Sequence, residues 1–175
     1  MCSTKNRMRN SERHAVGSSH QIMKKIFFLL SASMIALINH AGEIAGTVKS
    51  VKGSVRIERD TQRIEVMVGT KLHAQDRLFS GPASNVSNVS NVSITLRDST
   101  MLTAGANSTI ELSKYSFDRH LNQGHMDTLI QKGTLAVVSG QMAKTNPDQV
   151  VYRTNTVTLG VRGTEFIVHV EEPSE

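Results

Sequence analysis

From Gly46 onward, apolar and polar side chains alternate with a period of two, in short runs cut by glycine, proline or pairs of small polar residues. That period belongs to strands with one buried face. Predicted strands cover Thr47–Val51, Ser54–Glu58 and Arg63–Val68, closed by Gly53, Arg59-Asp60 and Gly69. The spacing loosens from Leu72 to Phe79 and stops at Ser80-Gly81-Pro82, where proline removes a ladder donor. Val92, Ile94 and Leu96 alternate with Ser93, Thr95 and Arg97 before a turn at Asp98-Ser99, and Leu102 leads to Gly105. Ile110 and Leu112 begin a strand that reaches Lys114-Tyr115-Ser116-Phe117. Met126–Gln131 runs to Gly133 and Thr134–Val138 to Gly140; Asp118–Gly124 and Gln141–Asp148 read as loops, and Gln149–Tyr152 returns to the sheet. No segment carries a helical period. The expected class is all-β, a β-solenoid-like or sandwich-like array of short strands that must stack to bury a face, preceded by a signal-peptide helix.

The last two strands frame a joint. Val157, Leu159 and Val161 alternate with Thr156, Thr158 and Gly160; Phe166, Val168 and Val170 alternate with Glu165, Ile167 and His169. Between them stand Gly160, Arg162, Gly163 and Thr164. The glycines can adopt positive φ or admit a neighbouring backbone, and the Arg162 guanidinium offers five fixed donors to unpaired carbonyls. The pattern predicts a bent or bulged strand pair held by a structural cation, with an arginine awaiting an anionic ligand as the alternative.

A triplet repeat, Asn85-Val86-Ser87, Asn88-Val89-Ser90, Asn91-Val92-Ser93, precedes the Ile94 strand. A period of three fits neither strand nor helix, so only one copy can enter the strand in register, and the other two are expected in a surface loop. The copies and Asn107-Ser108-Thr109 match the glycosylation pattern, which carries no weight in a chain of bacterial character.

Charge sharpens the division of the chain. Of 20 Lys/Arg and 15 Asp/Glu, six cations and one acid, Glu12, fall in residues 1–41. Fourteen of each remain, so the body is neutral and lacks the basic footprint of a nucleic-acid binder. Met23-Lys24-Lys25 followed by the thirteen-residue apolar run Ile26–Ile38 and small residues at Ala41, Gly42 and Ala45 has the layout of an export signal. Thirteen residues fall short of the ~20 a spanning helix needs, so cleavage near Ala41 and no stable membrane span are expected, with retention of the segment as an N-terminal anchor the alternative. Residues 1–22 are polar and aperiodic, an expected disordered extension, with Met23 as an alternative start. Cys2 lies there, so the body has no thiol chemistry.

Catalytic chemistry finds little to work with. Asp118-Arg119-His120 and His125-Met126-Asp127 place metal-ligand types around one loop, but no distant ligand joins them, and a solvated hairpin is the expectation. His73 and His169 are isolated and expected to be exposed or locally hydrogen-bonded. There is no Gly-x-Ser-x-Gly elbow and no phosphate-binding Gly-x-x-x-x-Gly-Lys loop. Sugar platforms rely on aromatic faces, and the body offers Phe79, Tyr115, Phe117, Tyr152 and Phe166 without tryptophan, which ranks glycan binding below protein binding. Tyr115 and Phe117 share a face and are expected in the core. No metal or cofactor is expected.

Several pieces in order carry a resemblance: Gly46-Thr47-Val48 to Gly53-Ser54-Val55, Val68-Gly69-Thr70-Lys71-Leu72 with Asp76-Arg77-Leu78, Ser93–Leu96 with Arg97-Asp98-Ser99, Gly133-Thr134-Leu135, and Leu159-Gly160-Val161-Arg162-Gly163-Thr164-Glu165-Phe166. Together they resemble the FecR domain, whose family is named for the periplasmic regulator of ferric dicitrate uptake. Residues 42–175 form the FecR-like β domain in this reading. Ser99 departs from the glycine usual after that aspartate. The resemblance implies an all-β module in the periplasm or outside the cell, without enzymatic residues. A transmembrane regulator of that kind needs a cytoplasmic sigma-factor-binding segment and a retained helix. The expectation here is instead a stand-alone exported interaction, sensing or scaffold module with another envelope protein as partner. Glycan binding, or service to a sigma-factor and receptor system, is the alternative. Open sheet edges supply the physical basis for partner binding.

Overall fold

The computed structural model describes residues 42–83, 89–163 and 165–171. The expected extension at 1–22 and the expected signal peptide at 23–41 lie outside them. Twelve strands form one sheet: β1 (Ile44–Lys52), β2 (Val55–Arg59), β3 (Gln62–Glu65), β4 (Lys71–His73), β5 (Arg77–Ser80), β6 (Asn91–Leu96), β7 (Met101–Ala104), β8 (Thr109–Asp118), β9 (Gln123–Val138), β10 (Val150–Arg153), β11 (Thr158–Gly160) and β12 (Glu165–Val170). A short helix, α1 (Gln141–Thr145), and a 3-10 turn (Pro147–Gln149) follow β9. The order β3-β2-β5-β8-β9-β7-β6-β1-β4 curls into a half-barrel, with β10 and β12 added on β9 and β11 on β10.

The all-β expectation holds, and the solenoid alternative gives way to this curled sheet. Every ladder is antiparallel except β9–β10. A solenoid coil needs the chain to move on in one direction. Here left-handed residues, Asp60 (φ 55), Ser99 (φ 69) and Asn122 (φ 51), turn it straight back between β2 and β3, β6 and β7, and β8 and β9.

Strand β9 organises the sheet. Its first half runs between β8 and β10, and its second half between β7 and β12. Two strands parted at Gly133 are predicted; the structure has one, sixteen residues long, with Gly133 inside it. Gly133 has φ +87, and a Cβ there would lie 2.3 Å from Ser108 Oγ. The Ser108 hydroxyl takes that space, accepting the Thr134 N–H at 2.9 Å and approaching Thr134 O at 3.2 Å. The glycine thus lets β9 change neighbours without ending.

Both halves face one core. Val92, Ile94 and Leu96 of β6, Leu78 of β5, Ile110 and Leu112 of β8, and Ile130, Leu135 and Val137 of β9 are all buried. Each such side chain contributes about 1.5–3 kcal/mol. A cavity of ≈ 20 Å³ between Leu72, Leu78, Ile94, Leu102, Ile110 and Leu135 marks where the halves meet. The third triplet copy opens β6 and buries Val92, as its period requires. The expected loop placement of the first two copies falls largely outside the described residues, at 84–88.

Two boundaries differ. The strand expected over Arg63–Val68 ends at Glu65, because a turn closed by Thr70 N–H to Met67 O at 3.0 Å takes the chain away, leaving Met67 and Val68 exposed. The loop expected over Gln141–Asp148 holds α1, which buries Met142 and Ala143. Five residues are too few to show a helical period.

Candidate functional site

Two aspartates from the recognisable pieces are buried in the fold. Asp98, 1 % exposed, sits at the β6–β7 turn. Its carboxylate accepts from the Thr100 hydroxyl at 2.7 Å and the Thr100 N–H at 3.2 Å, and the Tyr115 hydroxyl reaches it at 3.3 Å. The Asp98 N–H donates to that same tyrosine oxygen at 3.1 Å. The segment after β9 closes the arrangement: Gln141 N–H donates to Asp98 O at 2.8 Å and Gly140 N–H to the Thr100 hydroxyl at 3.0 Å. A Cβ on Gly140 would lie 2.3 Å from Asp98 O, so no other residue fits without moving backbone. Burial, and then the Asp98 charge, push the phenols of Tyr115 and Tyr152 well above the usual tyrosine range.

Asp76, also 1 % exposed, takes a two-pronged contact from Arg59, Nε at 2.7 Å and Nη2 at 2.8 Å, and the His73 N–H at 2.7 Å. Arg59 also donates to Lys71 O at 3.0 Å. The pair ties the end of β2 to the β4–β5 turn. Both aspartates have their lone pairs spent inside the protein, so they hold the fold and meet no ligand.

The run expected as a cation-held joint lies at the surface. Strands β11 and β12 do not pair with each other: β11 joins β10, and β12 joins β9. Gly160 needs no glycine, since a Cβ there meets nothing within 4 Å, whereas Gly163 has φ +53 and turns the chain. Arg162 is exposed and bonds to no described residue, so the expected fork onto free carbonyls is absent there. The physical reason is that Arg162 and Gly163 are exposed, and carbonyls open to solvent need no side-chain donor. Thr164 lies outside the described residues. Of the four described, Phe166 alone reaches the core, its ring 5.0 Å from Tyr152 in an edge-to-face contact that links the two halves of the sheet.

Beyond Phe166 the strand is an open edge. Among the described residues β12 pairs with β9 alone. Its outer face carries Ile167, 71 % exposed, opposite Ala136, with Val138 and the exposed Met101 in the next register. Alternation assigns Ile167 to the polar face, so the misplaced apolar residue is readable from sequence; its neighbours Met101 and Val138 come from strands whose register is not.

The model of the family described as FecR protein matches residues 84–175. This chain belongs to the FecR family. No curated protein and no solved structure matches it. The FecR match begins after β5, yet β1 and β5 are paired to matched strands β6 and β8, so the fold extends upstream of the matched residues.

The remaining candidates of this FecR chain are ordinary surface and core. His120 is exposed beside Asp118, whose carboxylate accepts the His120 and Leu121 N–H groups at 2.8 and 3.2 Å; these bonds lower its pKa. His125 meets Gln149 Oε1 at 3.0 Å and His169 meets Thr134 Oγ1 at 2.8 Å. His73 is not exposed: it is half-buried, its Nδ1 has no partner among the described residues, and burial lowers its pKa. Tyr115 and Phe117 lie in the core, as their shared face predicts, and Phe79 stacks under the Arg56 guanidinium at 4.7 Å. Among the described residues no three His, Cys, Asp or Glu side chains gather closely enough to hold a metal ion.

Proposed function

We propose that this chain is an exported, non-enzymatic FecR-domain module of the periplasm or cell exterior that senses or scaffolds by holding another envelope protein at β12. The observation that carries the reading is the open edge. Six residues of regular strand, free of proline, carry the exposed Ile167 beside half-buried Ala136 and Val138 and the exposed Met101. Natural sheets guard such edges with charges, bulges or cover; β12 turns Glu165 and His169 outward beside Ile167, yet among the described residues its second backbone edge is uncovered, which suits it to accept a partner's strand. Family membership supports a regulatory or sensing role over catalysis. The buried aspartates give the module rigidity and leave chemistry to its partner.

The test uses the full chain in its own cells, with a photo-crosslinking residue at position 167 or at the exposed Asn155. Recovery outside the cytoplasm, an N-terminus near Gly42, and a crosslink to one envelope protein from 167 alone support the reading. Cytoplasmic recovery, or identical crosslinks from both positions, sinks it.

A further inference from the structure

The outer face of β4, β1 and β6 carries a feature independent of the β12 edge. An open groove of ≈ 680 Å³ runs over it, lined by Lys49, Lys71, Arg97 and Arg119 and by the hydroxyls of Thr47, Thr95 and Ser99. No acidic side chain lines it. The cations are arranged by the ladder. Thr47 pairs with both Lys71 and Thr95, so those three residues form one row across three strands, about 10 Å wide at ~4.8 Å per strand. Lys71 Nζ donates to Thr47 Oγ1 at 3.0 Å, which fixes the ammonium over the row. Lys49 is the extra residue of the β1 bulge, since the register skips from Val48 to Ser50. It stands beyond the row toward one end of β1. Arg97 stands beyond it toward the other, where its N–H meets Ala45 O at 2.8 Å. Its guanidinium is held by Glu43. Arg119, in the turn between β8 and β9, stands at the border with an adjoining depression of mixed charge that contains Arg97 together with Glu43 and Asp118.

The body of the chain is neutral, yet here its charge is segregated. Arg59, Arg63, Arg77, Arg153 and, at the end of the groove, Arg97 are each paired with a carboxylate. Lys49, Lys71 and Arg119 form no ion pair with a described residue. Like charges gathered without partners raise the local potential and cost stability unless an anion joins them.

We infer that this groove binds a linear acidic glycan, lying along β1 with its carboxylates on Lys49, Lys71 and Arg119 and its ring hydroxyls on Thr47, Thr95 and Ser99. The groove's own chemistry selects that class. A nucleic acid needs a stacking platform, and no aromatic side chain lines the groove. An acidic peptide needs either free backbone partners or apolar anchors. The backbones of Thr47 and Thr95 lie within the sheet ladders, and Ile44 and Leu96 are the only large apolar side chains in the lining. A polyuronate presents one carboxylate and several hydroxyls per ring, which matches alternating cations and hydroxyls.

The experiment measures binding of the full chain to polyguluronate, with dextran as the neutral polymer and single-stranded DNA as the competing polyanion. Binding to polyguluronate that weakens with salt, and none to dextran, is expected. The double variant Lys49→Gln/Lys71→Gln should lose at least ten-fold in affinity with an unchanged melt, both side chains being exposed. Lys114→Gln/Lys144→Gln, which removes two exposed charges elsewhere, should bind like the parent. Equal losses in both double variants, or DNA binding as tight as polyguluronate, would overturn the inference. Crosslinking at position 167 reads the β12 proposal separately, so either can fail alone.

Discussion

The turn from Leu159 to Phe166 and the network around Asp98 are both parts of the family resemblance, and they differ in every physical respect. The Leu159–Phe166 turn is the easiest to recognise in the sequence. Its arginine is exposed and bonds to no described residue, and a side chain on its first glycine would meet nothing within 4 Å. Arg97-Asp98-Ser99 is a commonplace run of residues, yet Asp98 joins the β6–β7 turn, β8 and the segment after β9 through buried hydrogen bonds. Ease of recognition therefore does not measure structural weight. A buried polar group has to be satisfied at every atom, whereas an exposed one is satisfied by water.

Substitutions can break this contrast. Gly140→Ala should have the largest effect, about 3 kcal/mol or more, because backbone of the β6–β7 turn fills the Cβ position. Urea melts measure it; a loss below 1 kcal/mol would mean the turn is looser than described. Asp98→Ala should cost about 2–4 kcal/mol by stranding the Thr100 and Tyr115 groups. Its effect should fall well short of additive with Tyr115→Phe, since the two share one network.

The chain's two tyrosines give the contrast a pH signature. Both phenols are raised above their unfolded value of about 10 by burial. Their contribution is complete below that value and is lost as pH rises beyond it, since the unfolded chain then releases protons the folded one retains. Tyrosinate absorbance should therefore rise only together with unfolding. Titration of either tyrosine near pH 10 in the folded protein would contradict the burial.

Two smaller effects sharpen the comparison. Ser99→Gly should stabilise by about 1 kcal/mol, because Ser99 holds φ 69 where glycine has no steric penalty. Thermal melts should show a rise; no change would mean that the serine side chain compensates. Arg162→Ala should stay within about 0.5 kcal/mol of the parent, as for other unpartnered surface side chains. A loss above 1 kcal/mol in the same melts would restore the structural role that its position between two glycines suggests.

Much of the strand content was legible because burial imposes a period of two: β6 alternates without fault, and Phe166, Val168 and Val170 face inward while Glu165, Ile167 and His169 face out. Partners were not legible. Strands β11 and β12 are neighbours in sequence, and the shortest connection suggests a pair, but β10 and β9 compete for them and win. Gly133 reads as a strand end because glycine usually interrupts a ladder; here it keeps β9 continuous by accommodating Ser108. The basic groove escaped notice because Lys49, Lys71, Arg97 and Arg119 are scattered along the chain and meet only through β1, β4, β6 and the β8–β9 turn. Total charge, which is neutral over this body, averages such a feature away.

That β9 belongs to both halves of the sheet also sets the timing of assembly. Strands β1 to β7 leave the ribosome before the strand that β7 must lie against, and β8 likewise waits for it. Pairings between distant segments form slowly. Ladders among β1 to β8 can form earlier, but neither half of the sheet is complete until the final third of the chain emerges. For a polypeptide threaded through a narrow export channel, as proposed here, such a delay keeps it passable until it reaches the far side.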